Sequence, residues 1–292
     1  MAEQKGILIK AIAGFYYIEA GSYVFECKAR GVFRKQNITP VVGDTVLFTA
    51  LDEKNGILES ILPRKNCLIR PPISNIDRLF IVSAQNTPAP SALMIDRLTA
   101  IAAQNDIEPI IVFNKSDMGD LSRWKDIYTR SGFKTIVTSV KTGQGCDEIS
   151  ELLNGKISAF TGNSGVGKSS ILNYILPQLN LKTGEVSEKL GRGRHTTRHI
   201  ELYKAFGGYV ADTPGFSSLD IERAMPLKKE DLAFDFPDFS NYLGKCKFTS
   251  CTHTGEKGCA VFRAAEDGNI CPSRLKSYCM LYNEIKDIKQ WK

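Results

Sequence analysis

The sequence predicts three structural units in one chain: an OB-type β-barrel over residues 1–66, an α/β unit on a mainly parallel sheet over 67–225, and a helical, cysteine-rich unit over 226–292. Three observations carry this. The first segment is a succession of short alternating runs divided by glycine turns. The second alternates apolar strands with amphipathic helical stretches, and the third holds five of the eight cysteines.

At 292 residues the chain exceeds what one small core needs, and 42% hydrophobic with 24% charged side chains is a globular balance. No apolar run approaches the roughly 20 residues of a membrane-spanning helix. Lys5 and Lys10 break the first apolar stretch, so a secretory leader is not expected and a cytoplasmic, reducing setting is. The net charge of +6 is spread evenly over the three units, so no basic tail announces nucleic acid. Nothing in the sequence demands a dimer, and a monomer is expected.

In the first unit the runs are GILIKAIAGFYYIEAG, YVFECKARGVFR, PVVGDTVLFTALD and GILESILPR, with turns at Ala20-Gly21-Ser22 and Lys54-Asn55-Gly56. Four or five strands in so short a span suit a small closed barrel of the OB type, with an SH3-like barrel as the competing wiring. From residue 68 the strands LFIVSA (79–84), PIIVFN (109–114), TIVTSV (135–140), ISAFTG (157–162) and YVADTPG (209–215) alternate with helical spacing at 91–105, 119–131, 146–154 and 168–176. Such βα alternation places a ligand at the C-terminal ends of the strands. HIELYKAF (199–206) turns through Gly207-Gly208 into YVADT and predicts one antiparallel edge pair. The last residues, from Tyr278 onward, read as a C-terminal helix.

Gly162-Asn163-Ser164-Gly165-Val166-Gly167-Lys168-Ser169 fits G-x-x-x-x-G-K-[ST] between a strand and a helix, and Ser170 follows. The glycines let backbone N–H groups turn toward phosphate oxygens at a helix N-terminus. Lys168 reaches the β/γ-phosphates, and the Ser169 hydroxyl suits Mg²⁺. A match of this length arises by chance in roughly 2% of chains this long. Asp212-Thr213-Pro214-Gly215 closes a strand of the same sheet. Asp212 can hold the Mg²⁺ shell through water, and the Gly215 N–H can meet the γ-phosphate.

Asn114-Lys115-Ser116-Asp117 follows the strand PIIVF. An ionised Asp117 accepts two hydrogen bonds from guanine, whereas adenine would leave the carboxylate unpaired. Asn114 would tie this loop to the P-loop and the Lys115 stem would lie over the base. Ser139-Val140-Lys141 follows the next strand, where a backbone N–H could meet guanine O6. The expected ligands are GTP and GDP.

Between the P-loop and Asp212, the stretch Gly191-Arg192-Gly193-Arg194-His195-Thr196-Thr197-Arg198 is rich in glycine and charge. Thr197, or its neighbour Thr196, is placed to add a hydroxyl to Mg²⁺, and the same stretch could touch RNA phosphate. The residue after DTPG is Phe216, which cannot align a water, so slow intrinsic turnover is expected. His195 is the candidate to assist hydrolysis, against a structural or RNA-contacting role. His199 reads as structural.

Cys246-x₄-Cys251-x-His253-x₅-Cys259 supplies three thiolates and an imidazole, a full tetrahedral set for one structural Zn²⁺ with no open position. Cys271 and Cys279 are spare. Lys245, Lys247, Lys257, Arg263, Arg274 and Lys276 around it could meet RNA phosphate or form a solvated face.

The order of motifs is unusual, since NKSD and SVK precede the P-loop, switch and DTPG. A circular permutation keeps the site when the original termini are adjacent. Together with Val42-Gly43-Asp44 and the metal motif, this order resembles the small-subunit-dependent RsgA family of circularly permuted GTPases. The resemblance implies GTP hydrolysis stimulated by the small ribosomal subunit, rRNA binding and a role in late small-subunit maturation, and it also suggests His195, which with Lys168 and Gly215 forms the expected catalytic set. Three other readings share some features: a GTP-gated rRNA-binding module in which hydrolysis only resets occupancy, a permuted GTPase of the large subunit, and a P-loop ATPase.

Overall fold

The computed structural model describes residues 3–69, 72–85, 88–179, 181, 200–212 and 226–287, and the statements below concern those residues. Period-two alternation builds the first unit from β1 (Glu3–Ile12), β2 (Phe15–Ala20), β3 (Tyr23–Ala29), β4 (Thr45–Ala50) and β5 (Asn55–Ile61). They close as β1-β2-β3-β5-β4 and back to β1, with β3 and β5 parallel. That wiring, with a helix between β3 and β4, is the OB barrel rather than the SH3-like one. Its interior is filled by Leu8, Ile18, Phe25, Cys27, Val46, Phe48 and Leu58, with Phe33 closing one end.

Three local readings change. The first apolar run is two strands, because Ala13 and Gly14 both take positive φ and make a tight turn. Gly31–Lys35, expected to extend a strand, is a short helix α1 that buries Phe33. The turn near residue 54 lies earlier: Asp52 Oδ1 accepts from the N–H groups of Lys54 and Asn55, so Asn55 already opens β5.

Val42-Gly43-Asp44 is the joint beneath the barrel. Asp44 is fully buried and accepts from Arg64 Nε (2.6 Å), Arg64 Nη2 (2.8 Å), the Val41 N–H (2.8 Å) and Ser74 Oγ (2.7 Å). A Cβ at Gly43 would stand 2.2 Å from the Ser74 carbonyl oxygen, so only glycine lets the hairpin β6 (Cys67–Ile69) and β7 (Pro72–Ser74) close on this loop.

The α/β unit carries β8 (Arg78–Ala84), α2 (Ala92–Ala103), β9 (Glu108–Asn114), α3 (Ser122–Arg130), β10 (Lys134–Val137), α4 (Cys146–Leu153), β11 (Ile157–Thr161), α5 (Lys168–Ile175), β12 (Glu201–Ala205) and β13 (Gly208–Asp212). The sheet order is β10-β9-β8-β11-β13-β12, parallel except for β12. Strands β8 and β9 are buried on both faces, as their unbroken apolar runs require. The expected antiparallel pair is present, but β12 is not an edge. Its outer side meets β1, with Lys10 opposite Glu201, so barrel and α/β sheet form one eleven-stranded sheet.

The C-terminal segment runs through tight turns and a short 3₁₀ turn at Pro237–Phe239 to α6 (Ala260–Glu266) and α7 (Pro272–Ile285). The last helix therefore starts six residues before Tyr278, with Pro272 in the first turn, where a missing N–H costs nothing. Arg274 is not a surface cation for RNA. It is wholly buried, pairs with Asp96 of α2 and with Asp238 (2.9 Å), and its guanidinium lies 4.3 Å from the centre of the Phe236 ring. The apolar face of α2 thus packs on α7 through a buried charge. None of the described helices is long and apolar enough to cross a membrane.

Candidate nucleotide and metal sites

Three loops converge at the C-terminal ends of β9, β10 and β11. The P-loop between β11 and α5 turns on glycines that no other residue could replace: a Cβ at Gly162 would lie 2.1 Å from the Val82 carbonyl oxygen, and one at Gly167 2.2 Å from Asn114 Nδ2. Gly162, Gly165 and Gly167 all have positive φ. Lys168 opens α5 and folds back over the loop, donating to the carbonyls of Gly162 (2.7 Å) and Asn163 (2.9 Å). Burial lowers its ammonium to about 8. Val166 is buried, Ser164 and Gly165 are exposed, and Ser169 and Ser170 are half-buried on the first turn of α5.

The second loop leaves β9. Asn114 is buried and donates from Nδ2 to the Val166 carbonyl (2.9 Å). Lys115, in the left-handed region, donates from Nζ to the Gly165 carbonyl (2.8 Å) and bridges the top of the P-loop. Asp117 points outward, and its Oδ1 accepts from Ser139 Oγ at 2.7 Å, which holds its carboxyl below the usual range. Ser139 is buried at the start of the third loop, which leaves β10, while Val140 is half-buried and Lys141 exposed.

The brace between these loops is absent from any motif. Ser116 Oγ donates to Gln144 Oε1 (2.9 Å), and the Ser139 N–H to the Gln144 carbonyl (3.1 Å). Gln144 follows the Thr-Gly turn after SVK, a signal visible only once both loops are in place. Asp212 ends β13, beside β11. Thr196, Thr197, His195, His199, Gly215 and Phe216 lie outside the described residues.

The cysteine cluster forms a second site. Nδ1 of His253 lies 3.4 Å from Cys246 Sγ, 3.6 Å from Cys251 Sγ and 3.4 Å from Cys259 Sγ, and the Cys246 and Cys259 sulfurs are 3.9 Å apart. A tetrahedron with ordinary Zn–S and Zn–N bonds needs S···S of about 3.8 Å and S···N of about 3.6 Å. The donor set and its spacing fit such an ion, and the imidazole nitrogen that faces the three sulfurs is Nδ1, which the sequence could not say. The Ala260 N–H donates to Cys246 Sγ (3.3 Å), and Tyr278 of α7 donates to the Thr252 carbonyl (2.7 Å). Cys271 and Cys279 stand outside the set. Lys245, Lys247, Lys257, Arg263 and Lys276 are exposed around it.

Known proteins resemble this chain along nearly its whole length. The RsgA GTPase family model matches residues 61–222 and the RsgA N-terminal domain model residues 5–58. The small ribosomal subunit biogenesis GTPase RsgA of Caldanaerobacter subterraneus subsp. tengcongensis is 44% identical over 98% of this chain and 97% of its own length. That of Geobacillus thermodenitrificans is 44% identical over 99% of both chains. Among solved structures, YjeQ from Thermotoga maritima superposes with a TM-score of 0.84 at 34% identity, covering 99% of this chain and all of that one. YloQ, described as a circularly permuted GTPase, gives 0.81 at 37%, covering 100% and 98%. The permuted order of motifs, the barrel ahead of them and the metal cluster behind them thus have one source: the chain belongs to the RsgA family of circularly permuted GTPases.

Proposed function

We propose that this GTPase hydrolyses Mg·GTP while bound to the small ribosomal subunit, in the cytoplasm and as a monomer, and that it assists late maturation of that subunit through contacts with its rRNA. In this reading the chain works as three units, 1–66, 67–225 and 226–292. The observation that carries the nucleotide assignment is the tie of the base loop to the P-loop, Asn114 to Val166 and Lys115 to Gly165, with Ser139 of the third loop bonded to Asp117.

Asp117 selects guanine, Asn114 and Lys115 hold the base loop against the P-loop, and Ser139, Val140 and Lys141 border the base. Backbone N–H groups of Gly162 to Ser170 receive the phosphates. Ser169, Thr197 and, through water, Asp212 would hold Mg²⁺, which when bound neutralises charge on the β- and γ-phosphates. Lys168 turns from the loop carbonyls to the transferred phosphoryl, and burial makes each of its hydrogen bonds stronger than in water. Gly215 would donate to the γ-phosphate and His195 would assist the attacking water, since Phe216 cannot. Cys246, Cys251, His253 and Cys259 would hold one structural Zn²⁺.

The test is GTP hydrolysis by the purified protein with and without small ribosomal subunits, with large subunits as control. Strong stimulation by the small subunit alone is expected. No stimulation, with GTP binding and zinc content intact, would remove the proposed partner. Maturation that proceeds fully with a non-hydrolysable analogue in single turnover would instead favour the GTP-gated RNA-binding module.

A further inference from the structure

We infer that Gln144 is a positioning residue for guanine recognition: through Ser116 it fixes the turn that presents Asp117 to the base. The inference rests on the assignment of Asp117 to guanine, and it deepens that reading by saying what holds the carboxylate in place.

Asp117 sits on the short 3₁₀ turn Ser116–Met118, where both Asp117 and Met118 are exposed. The chain entering the turn is held by its neighbours. Asn114 and Lys115 bond to the P-loop, and the Ser116 N–H donates to the Thr138 carbonyl (3.2 Å). Within the turn the backbone bonds are local, from the Met118 N–H to the Lys115 carbonyl (3.0 Å) and from the Gly119 N–H to the Ser116 carbonyl (3.5 Å). Two side-chain bonds fasten it across to the third loop. One is Asp117 Oδ1 with Ser139 Oγ, and the other is Ser116 Oγ with Gln144 Oε1 (2.9 Å).

Gln144 suits this task because rigid elements fix its own backbone. The chain leaves β10 and turns with the Gly143 N–H on the Ser139 carbonyl (2.9 Å). It returns so that the Ser139 N–H meets the Gln144 carbonyl (3.1 Å). Gly143 and Gly145, on either side of Gln144, both take positive φ, and a Cβ at Gly145 would run into the Val137 carbonyl oxygen. Helix α4 starts directly afterwards at the buried Cys146. The two loops thus close a ring, from Ser116 to Gln144, to Ser139, to Asp117 and back through the peptide bond. Guanine offers its ring N–H and its amine together, so both carboxylate oxygens must stand within about 0.5 Å of their places. The Gln144 side chain is exposed and water competes for its bond, so the effect is a matter of a few-fold.

The experiment uses the full-length protein and its variants Gln144→Ala, Ser116→Ala, the two combined, and Ser116→Thr. Gln144→Ala keeps the backbone bond with Ser139 and deletes only the side-chain acceptor, whereas Ser116→Thr keeps the hydroxyl. Read out are the affinities for GDP, inosine diphosphate and ADP, kcat and KM for GTP, and the unfolding temperature without nucleotide. Each alanine variant should weaken GDP about fourfold but inosine diphosphate, which lacks the amine, by less than about twofold. KM for GTP should rise more than kcat falls. The double variant should lose no more than either single one, since both delete the same bond, and Ser116→Thr should match the wild type. Unchanged GDP affinity in both alanine variants overturns the inference. So do equal losses for GDP and inosine diphosphate, losses that multiply in the double variant, or a loss that follows a lowered unfolding temperature. Wild-type protein that binds ADP as tightly as GDP would instead defeat the guanine reading of Asp117 itself.

Discussion

Two side chains show how much one position can decide. Asp117 is held by Ser139 with its carboxyl ionised and facing outward, which suits two donors from guanine and penalises adenine. Asp117→Asn replaces one acceptor by a donor, so nucleotide preference should move from GTP toward xanthosine triphosphate by at least tenfold in kcat/KM (about 1.4 kcal/mol). A competition assay with GTP, xanthosine triphosphate and ATP reads this directly, and unchanged specificity would reject the assignment. Arg274 decides stability instead. Arg274→Met leaves the buried Asp96 and Asp238 carboxylates unpaired, and should cost about 3–5 kcal/mol in urea denaturation. Adding Asp96→Asn and Asp238→Asn should return a large part of that loss, because the penalty lies in the orphaned charges.

At the scale of elements, the C-terminal segment is organised around its cysteine–histidine cluster. Between residues 240 and 259 the chain has no helix or strand, and what shapes it is the convergence of Cys246, Cys251, His253 and Cys259 together with Glu256, which accepts from the Thr252 and Thr254 N–H groups (2.7 and 2.8 Å). Such a loop has little apolar surface to bury, and an ion held by the proposed zinc ligands would supply folding free energy there. Chelation should release one equivalent of zinc and loosen α6 and the preceding loop. GDP affinity should persist, since the nucleotide loops lie on other elements. Metal release measured alongside circular dichroism and GDP titration would check this, and simultaneous loss of GDP binding would contradict it.

For the whole molecule, the joint between α2 and the C-terminal segment carries a pH dependence. Asp235 is buried, with the Asp231 charge nearby, and its carboxyl rises to about 7 despite the Gln104 Nε2 hydrogen bond. The folded protein keeps a proton that the unfolded chain releases near pH 4, so this group favours folding fully below that pH. The contribution is then lost progressively as pH climbs through about 7. Stability should fall between pH 5 and 8 by more in the wild type than in Asp235→Asn, which holds the Gln104 contact without a charge. Parallel slopes for the two proteins in pH-dependent denaturation would show that the group does not titrate there.

The sequence by itself determined the parallel sheet and the nucleotide loops. Both are local: an apolar run buried on two faces and a glycine pattern with one feasible backbone carry their geometry within a few residues. It also determined the four members of the metal cluster, because softness of ligand is a property of residue type. Only the tertiary structure decided which charges are buried and which strands meet across units. Arg274 reads as one more basic residue until α2 supplies Asp96 and the 3₁₀ turn supplies Asp238, from 178 and 36 residues away. The outer side of β12 reads as an edge until β1 closes on it, and β1 is apolar on both faces because two separate cores cover it. Such pairings are set by contacts distant in the chain, which alternation and spacing within one segment do not encode.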